Sequence, residues 1–316
     1  MKGHRIVIVG SYATGLTMRV NRLPRPGETL LAKGYRVDFG GKGSNQAVAC
    51  ARLGANVTFV GKIGRDDFGE MALDLHRGEK IDIDSVIQVP DQPTGVGFII
   101  VDTDGNNCIT IDPGANDLLT AEEVSESLKT LTPQAVVLTQ LEIPVEAAGA
   151  AMARGREKQA LTILNPAPAR TLPDSVLRLV DVLTPNQSEA KVLVGHSPDA
   201  ALEPEAAARD LLRRGVKQVV ITLGEKGALV ATTKSTLHIP GIKVPAEDTT
   251  GAGDSFNAGL AVALSCDENL DDAVRFAVVT GGLAVTREGV VPSLPTRNEV
   301  LHFYRQQGQT PPVWLA

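Results

Sequence analysis

Apolar and polar positions along this chain change period several times, and the changes outline a fold. Ile6 to Val9 is an unbroken apolar run closed by Gly10, the pattern of a strand buried on both faces. Val57–Val60 is the next buried strand expected. Between them, Thr17–Val20 and Leu30–Phe39 are half-polar, β-leaning stretches separated by Leu23-Pro24-Arg25-Pro26-Gly27, which predicts strands outside the main core. Val96–Val101 and Cys108–Ile111 flank a turn containing Asp104-Gly105 and predict a hairpin. Strand and helix then alternate. Strands are expected at Ala135–Leu138, Leu161–Leu164, Val180–Leu183 and Gln218–Thr222, with helices at Val145–Arg154, Ser188–Val194 and Glu205–Arg214 between them. Earlier helices fall over Ala47–Leu53 and Asp66–Leu75, and a capping box of Thr120 and Glu123 opens one reaching about Leu131. Ala252–Leu264, Leu270–Thr286 and Thr296–Gln306 finish the chain as helices.

Repeated β-α units imply a parallel sheet covered by helices on both faces, a three-layer α/β sandwich. Right-handed crossovers bring the carboxyl ends of its strands, and therefore a ligand, to one edge. The early strands that do not belong to this sheet predict a small β-sheet lid over that edge. The expectation is one domain over residues 1–316 with a discontinuous lid at about 11–40 and 94–112.

Composition narrows the function classes. The chain is 43% hydrophobic, 22% charged and 3% aromatic, with a formal charge of −6, which argues against a nucleic-acid surface and against stacking platforms for a single strand. Cys50, Cys108 and Cys266 are distant and odd in number, so they predict buried apolar residues and neither a disulfide framework nor a zinc site. The five histidines show no ligand spacing. No apolar run has the length of a membrane span, and a cytoplasmic protein is expected.

The densest chemistry lies in Asp248-Thr249-Thr250-Gly251-Ala252-Gly253-Asp254, just before a helix. Two glycines let the backbone approach a ligand closely, and the helix start turns unpaired N–H groups and the positive end of its dipole toward it. A phosphate fits there, with Asp254 as an acceptor able to take a proton from a hydroxyl. Read alone, Asp254 is equally a helix cap. A nucleotide loop of the G-x-x-x-x-G-K-[ST] type is excluded by the missing Lys, and a dinucleotide fingerprint by Phe256 where the third glycine belongs. Four further segments follow predicted strands on the same edge. Gly40 to Asn45 offers backbone freedom, the Lys42 ammonium and the Asn45 amide, which suit a polyhydroxylated ligand or an ordinary turn. Glu142 follows Ala135–Leu138 and is a ligand group or a solvated loop residue. Asn186 and Glu189 are spaced as a cap or as a Mg²⁺-organising pair. Thr222 to Gly227 fits a nucleotide or a hairpin turn. Their convergence on one edge says more than any single segment.

Gly40-Gly41-Lys42-Gly43-Ser44-Asn45-Gln46-Ala47 and the segment Asp248 to Asp254 resemble the two signatures of the ribokinase (PfkB) family of carbohydrate kinases. The likeness extends to Asn165-Pro166-Ala167-Pro168-Ala169, the Asn186/Glu189 pair, Thr222-Leu223-Gly224 and Thr286-Arg287-Glu288-Gly289. It implies ATP-dependent phosphorylation of a sugar's primary hydroxyl with Mg²⁺. Asp254 would be the base, and Gly251, Ala252 and Gly253 would hold the transferring phosphoryl. Gly41, Lys42, Gly43, Asn45 and Glu142 would bind the sugar; Asn186, Thr222, Gly224, Gly227 and Gly253 the nucleotide. Glu189 would serve Mg²⁺ through water, and an activating K⁺ would use Asp248, Thr250, Ala284, Arg287, Gly289 and Ser293. A homodimer joined through the lid is a further expectation of the resemblance.

The chain departs from the family at one place. Where ribokinases carry an Asn and, two residues on, an Asp that grip sugar hydroxyls, this sequence has Ala13 and Gly15. A hydrogen bond to a charged group contributes about 1.5–3 kcal/mol, so altered sugar recognition is expected, with Tyr12 as a replacement stacking face or hydroxyl. Two other readings follow: a nucleoside or modified-sugar kinase, and a non-catalytic sugar- or nucleotide-binding regulator.

Overall fold

The computed structural model describes residues 3–315. Its strands in chain order are β1 (Ile6–Val9), β2 (Ala13–Arg19), β3 (Tyr35–Gly40), β4 (Val57–Gly64), β5 (Asp82–Val89), β6 (Gly95–Val101) and β7 (Asn107–Asp112). They continue as β8 (Val136–Thr139), β9 (Leu161–Leu164), β10 (Val182–Leu183), β11 (Gln218–Thr222), β12 (Ala228–Ala231) and β13 (Thr236–Ile239). Nine of them form one sheet in the order β13-β12-β11-β10-β9-β8-β1-β4-β5, antiparallel only at β11-β12-β13. The other four form a separate sheet, β3-β2-β6-β7.

β1 shows why the main sheet is covered on both faces. Ile6 and Ile8 pack into one apolar layer, while Val7 and Val9 pack into the other, and all four are buried. From β1 the chain builds outward in both directions, through β4 to one edge and through β8 to the other. The reversal opens a crevice at the carboxyl ends of β1 and β8, the usual ligand position in an open α/β sheet.

Several elements differ from the sequence expectation. β2 begins at Ala13, so Ala13 and Gly15 belong to a strand of the small sheet and not to a loop. β3 starts only at Tyr35. The first helix runs Lys42–Arg52, five residues ahead of its apolar run, with Gly41 as N-cap at φ 85°. Its first turn is polar because Asn45 and Gln46 face a polar site, so apolar periodicity could not mark its start. β5, which reads Asp-Ile-Asp-Ser-Val-Ile-Gln-Val, and β13 are additions; both mix polar and apolar residues on partly exposed edges. The helix opened by Thr120 has its capping box but ends at Ser127. Cys50 is buried as expected, whereas Cys108 is exposed and Cys266 partly so.

The chain's first entry to the small sheet and its last exit from it are tied together. Asn116 donates to the carbonyls of Tyr12 (2.7 Å) and Pro113 (2.8 Å) and accepts from the Tyr12 amide (3.0 Å). Tyr12 itself is buried against Ile63, Ala72 and Leu73, with its hydroxyl on Thr14 and its ring edge-on to His76. This overturns its expected place at the sugar: it anchors the base of the small sheet.

Candidate active site

The helix Ala252–Ser265 begins after Gly251, which has φ 82°, a left-handed conformation that glycine takes without strain. Among the described residues, the N–H groups of Gly253 and Asp254 have no protein acceptor. A methyl group added at Gly253 would meet no atom within 4 Å. The loop thus combines free donors with open space at Gly253, a pairing that suits an anion.

Asp254 stands beside that opening and is only 6% exposed. Asn45 donates to its Oδ2 at 2.9 Å and Gln46 to its Oδ1 at 3.1 Å. Burial pushes its carboxyl above the ordinary range; the Lys42 charge and the two amide donors oppose this, and Glu142 adds to it. Lys42 shows the opposite balance. Burial disfavours its charge, yet Asp254, Glu142 and Glu189 together hold its pKa above the ordinary lysine value. One ammonium therefore sits in the field of three carboxylates contributed by different elements.

Glu142 joins the loops at the sheet's reversal point. Its carboxylate accepts from the Ser11 hydroxyl at 2.6 Å and the Lys42 amide at 2.8 Å. The glycines of the Gly40–Asn45 loop have a shared reason. A Cβ on Gly41 would stand 2.7 Å from the Tyr12 Cα, and one on Gly43 2.6 Å from the Ser11 nitrogen. Both permit backbone packing against residues 10–13. Behind them Gln140 donates to Gln46, and Gln46 to Asn165, continuing through Thr184 and Asn257 to the Gly253 carbonyl. The sequence reading assigned none of these amides a site role, because nothing local shows that they meet. Two buried acceptors here, Asn45 Oδ1 and Gln140 Oε1, have no protein partner. Such atoms are costly unless something donates to them, as a bound hydroxyl can.

A cavity of about 290 Å³ opens on the other side of Gly253, where it meets Thr222, Gly224 and Gly227. Its remaining walls include Ile242, Val244, Phe256, Val278 and Val285, a slot suited to a flat, largely apolar ring. These side chains were not foreseen. Gly224 (φ 61°) faces open space, whereas a Cβ added at Gly227 (φ 93°) would stand 2.1 Å from the Ile239 carbonyl oxygen, so the turn into β12 requires glycine there. Asn186 and Glu189 form a reciprocal capping box, so the cap reading holds for them. Glu189 also lies within the field of Lys42 and Asp254, and burial raises its pKa.

The segments proposed to share a K⁺ also come together. The Asp248 carboxylate accepts from the Thr250 hydroxyl (2.6 Å), the Thr250 amide (2.9 Å) and the Gly289 amide (3.0 Å). Burial alone would raise its pKa, but these bonds hold it below the ordinary range. Glu247 donates its N–H to the Val285 carbonyl, next to Ala284. The Ser293 hydroxyl donates to Val290, and Arg287 turns its guanidinium to Glu299.

Comparison with known proteins agrees with this geometry. The profile described as pfkB family carbohydrate kinase matches residues 4–297. A ribokinase of Haemophilus influenzae is 37% identical over 298 residues, 94% of this chain and 97% of that protein. A deoxyribokinase of Salmonella typhi is 34% identical over 292 residues, 92% of this chain and 95% of that protein. The solved structure of Arabidopsis thaliana ribokinase complexed with ribose and ATP superposes with a TM-score of 0.86 at 31% identity, covering 96% of this chain and 98% of that one. The chain belongs to the pfkB family of carbohydrate kinases and is a ribokinase-like, ATP-dependent sugar kinase.

Proposed function

We propose that Asp254 takes the proton of a sugar's primary hydroxyl as that oxygen attacks the γ-phosphorus of ATP. The bond from that phosphorus to the β-bridging oxygen breaks, ADP leaves, and the proton stays on the carboxylate. The observation carrying this reading is the buried Asp254 held by Asn45 and Gln46 beside free helix-start amides. A raised pKa makes it a better proton acceptor than an exposed aspartate. Gly251, Ala252 and Gly253 would steady the phosphoryl, with fixed dipoles supplying most of the rate enhancement. Asn45 Oδ1, Lys42 and Glu142 would hold the sugar. The slot beyond Thr222 and Gly224 would take the adenine.

Among the described residues no three His, Cys, Asp or Glu side chains gather as a metal cage. Mg²⁺ keeps waters and leans on phosphates; Glu189 would orient those waters, with Asn186 nearby. Bound there, Mg²⁺ supplies charge neutralisation. Asp248, Thr250, Ala284, Arg287, Gly289 and Ser293 would supply hard oxygen ligands to K⁺, a reading supported by the bonds that tie Asp248 to Thr250 and Gly289.

Residues 11–40 and 94–112 would act as the lid. Its face away from the cleft carries Met18, Tyr35, Val37 and Phe98, each at least 38% exposed, and supports a homodimer formed through the lid. No described helix is long and apolar enough to cross a membrane, and the expected location is the cytoplasm. The loss of polar groups at Ala13 and Gly15 supports a substrate that differs from ribose, as in the relative named a deoxyribokinase. Asp254→Asn tests the base: nucleotide binding is expected to persist while ADP release with sugar disappears. Near-normal turnover would refute the assignment.

A further inference from the structure

We infer that Asp38 reads secondary hydroxyls of the sugar, replacing the carboxylate missing at position 15. The inference rests on the sugar-kinase reading above. β2 and β3 are paired so that Gly15 lies directly opposite Asp38, and opposed residues of an antiparallel pair share a face. A Cβ built on Gly15 would stand 3.7 Å from the Cβ of Asp38. A carboxylate on either strand therefore enters the same space.

That face looks toward the body of the protein. Arg19, four residues from Gly15, and Arg36, two from Asp38, lie on the same alternation and both reach Glu288, at 2.6 and 3.2 Å. Glu288 precedes Gly289, whose N–H binds Asp248 in the loop that leads to Asp254. Phe39, next to Asp38, turns the other way into apolar packing. Asp38 accepts from the Arg36 Nε at 2.6 Å, and its side chain is 25% exposed. The guanidinium fixes one side of the carboxylate and leaves acceptor capacity for hydroxyls, which a charged acceptor binds more strongly than a neutral one.

The row across the sheet defines what else the substrate carries. It reads Asp38, Gly15, Gly97, Ile111. Added Cβ atoms on the two glycines would stand 3.6 and 3.8 Å from the Ile99 Cδ1, so a bare backbone floor lies under an aliphatic side chain. Asp38 supplies hydrogen-bond acceptors at one end of this row, and Ile99 with Ile111 supplies an aliphatic surface along the rest. That surface fits a sugar with a hydroxyl-bearing edge on Asp38 and a deoxy or alkyl-branched carbon against Ile99.

The test compares wild type, Asp38→Ala and the double variant Gly15→Asp/Asp38→Ala on an accepted sugar and on analogues each lacking one secondary hydroxyl, by coupled ADP release. In wild type one deletion should lower kcat/KM roughly 10- to 150-fold, the value of a hydrogen bond to a charged group. In Asp38→Ala that difference should vanish while KM for ATP and thermal stability hold. The double variant should regain discrimination at a secondary hydroxyl, since Gly15 has space and an ordinary φ. Equal losses on the sugar and every analogue would make Asp38 a structural lid residue and overturn the assignment, as would unchanged kinetics. A chain that phosphorylates no sugar would refute the kinase reading itself, an outcome distinct from sugar turnover that is indifferent to Asp38.

Discussion

Gly253→Ala separates stability from activity by giving them opposite signs. Gly253 occupies the first turn of the helix Ala252–Ser265 with an ordinary φ, and an added methyl meets nothing within 4 Å. Alanine in a helix is favoured over glycine by about 0.5–1 kcal/mol, largely because the unfolded chain loses freedom. At about 2.1 cal/mol/K per residue over this length, the expected gain in Tm is about 1 °C. The methyl would stand beside the free Gly253 and Asp254 amides, and an anion accepting from them is expected to be crowded by it. Removing one donor of such a site costs on the order of 100-fold or more in turnover, and a similar loss is expected here. Differential scanning fluorimetry without ligand gives the first quantity and coupled ADP release the second. Wild-type turnover in this variant would show that the phosphoryl group does not use the opening, and a fall in Tm would show that the space is filled.

Gly43→Ala should behave in the opposite way. Its Cβ would lie 2.6–2.8 Å from backbone atoms of Gly10 and Ser11, which cannot yield as a flexible side chain would, so a loss of about 3 kcal/mol is expected from urea unfolding. His76 sets an acid limit on stability. Burial lowers its pKa to about 4 from an ordinary 6.5, so below pH 6.5 the unfolded chain binds a proton that the folded one refuses. Stability is complete above about pH 6.5 and falls as pH drops toward 4, by about 3 kcal/mol at most. His76→Gln should flatten that limb in urea titrations at pH 7.5 and 4.5; an unchanged slope would place the titration elsewhere.

Much of this protein could be read directly from local sequence. Continuous apolar runs marked β1 and the centre of β11, and an Asp-Gly turn marked the β6–β7 hairpin. Capping boxes at Thr120 and Asn186 were written in their spacing. The candidate anion loop was legible because two glycines and an acid at a helix start form a signal carried by adjacent residues. Where the first turn of a helix faces the site, at Asn45 and Gln46, polarity hid the helix start.

Everything that depends on which distant residues meet was decided in three dimensions. Asp254 is bound by residues 209 and 208 positions away, and Ser11 meets Glu142 across 131. Sheet order set those meetings, because it placed the ends of β1 and β8 side by side. Register set another: pairing Gly15 with Asp38 put a carboxylate beside a position that carries no side chain, and a shift of one residue would have turned it to the opposite face. Tyr12, polar at its tip and next to the missing contacts, went instead into packing beneath the small sheet. Sequence specifies what each segment can bury, since that depends on neighbours along the chain; the tertiary structure chose which polar groups would share a site, since that depends on neighbours in space.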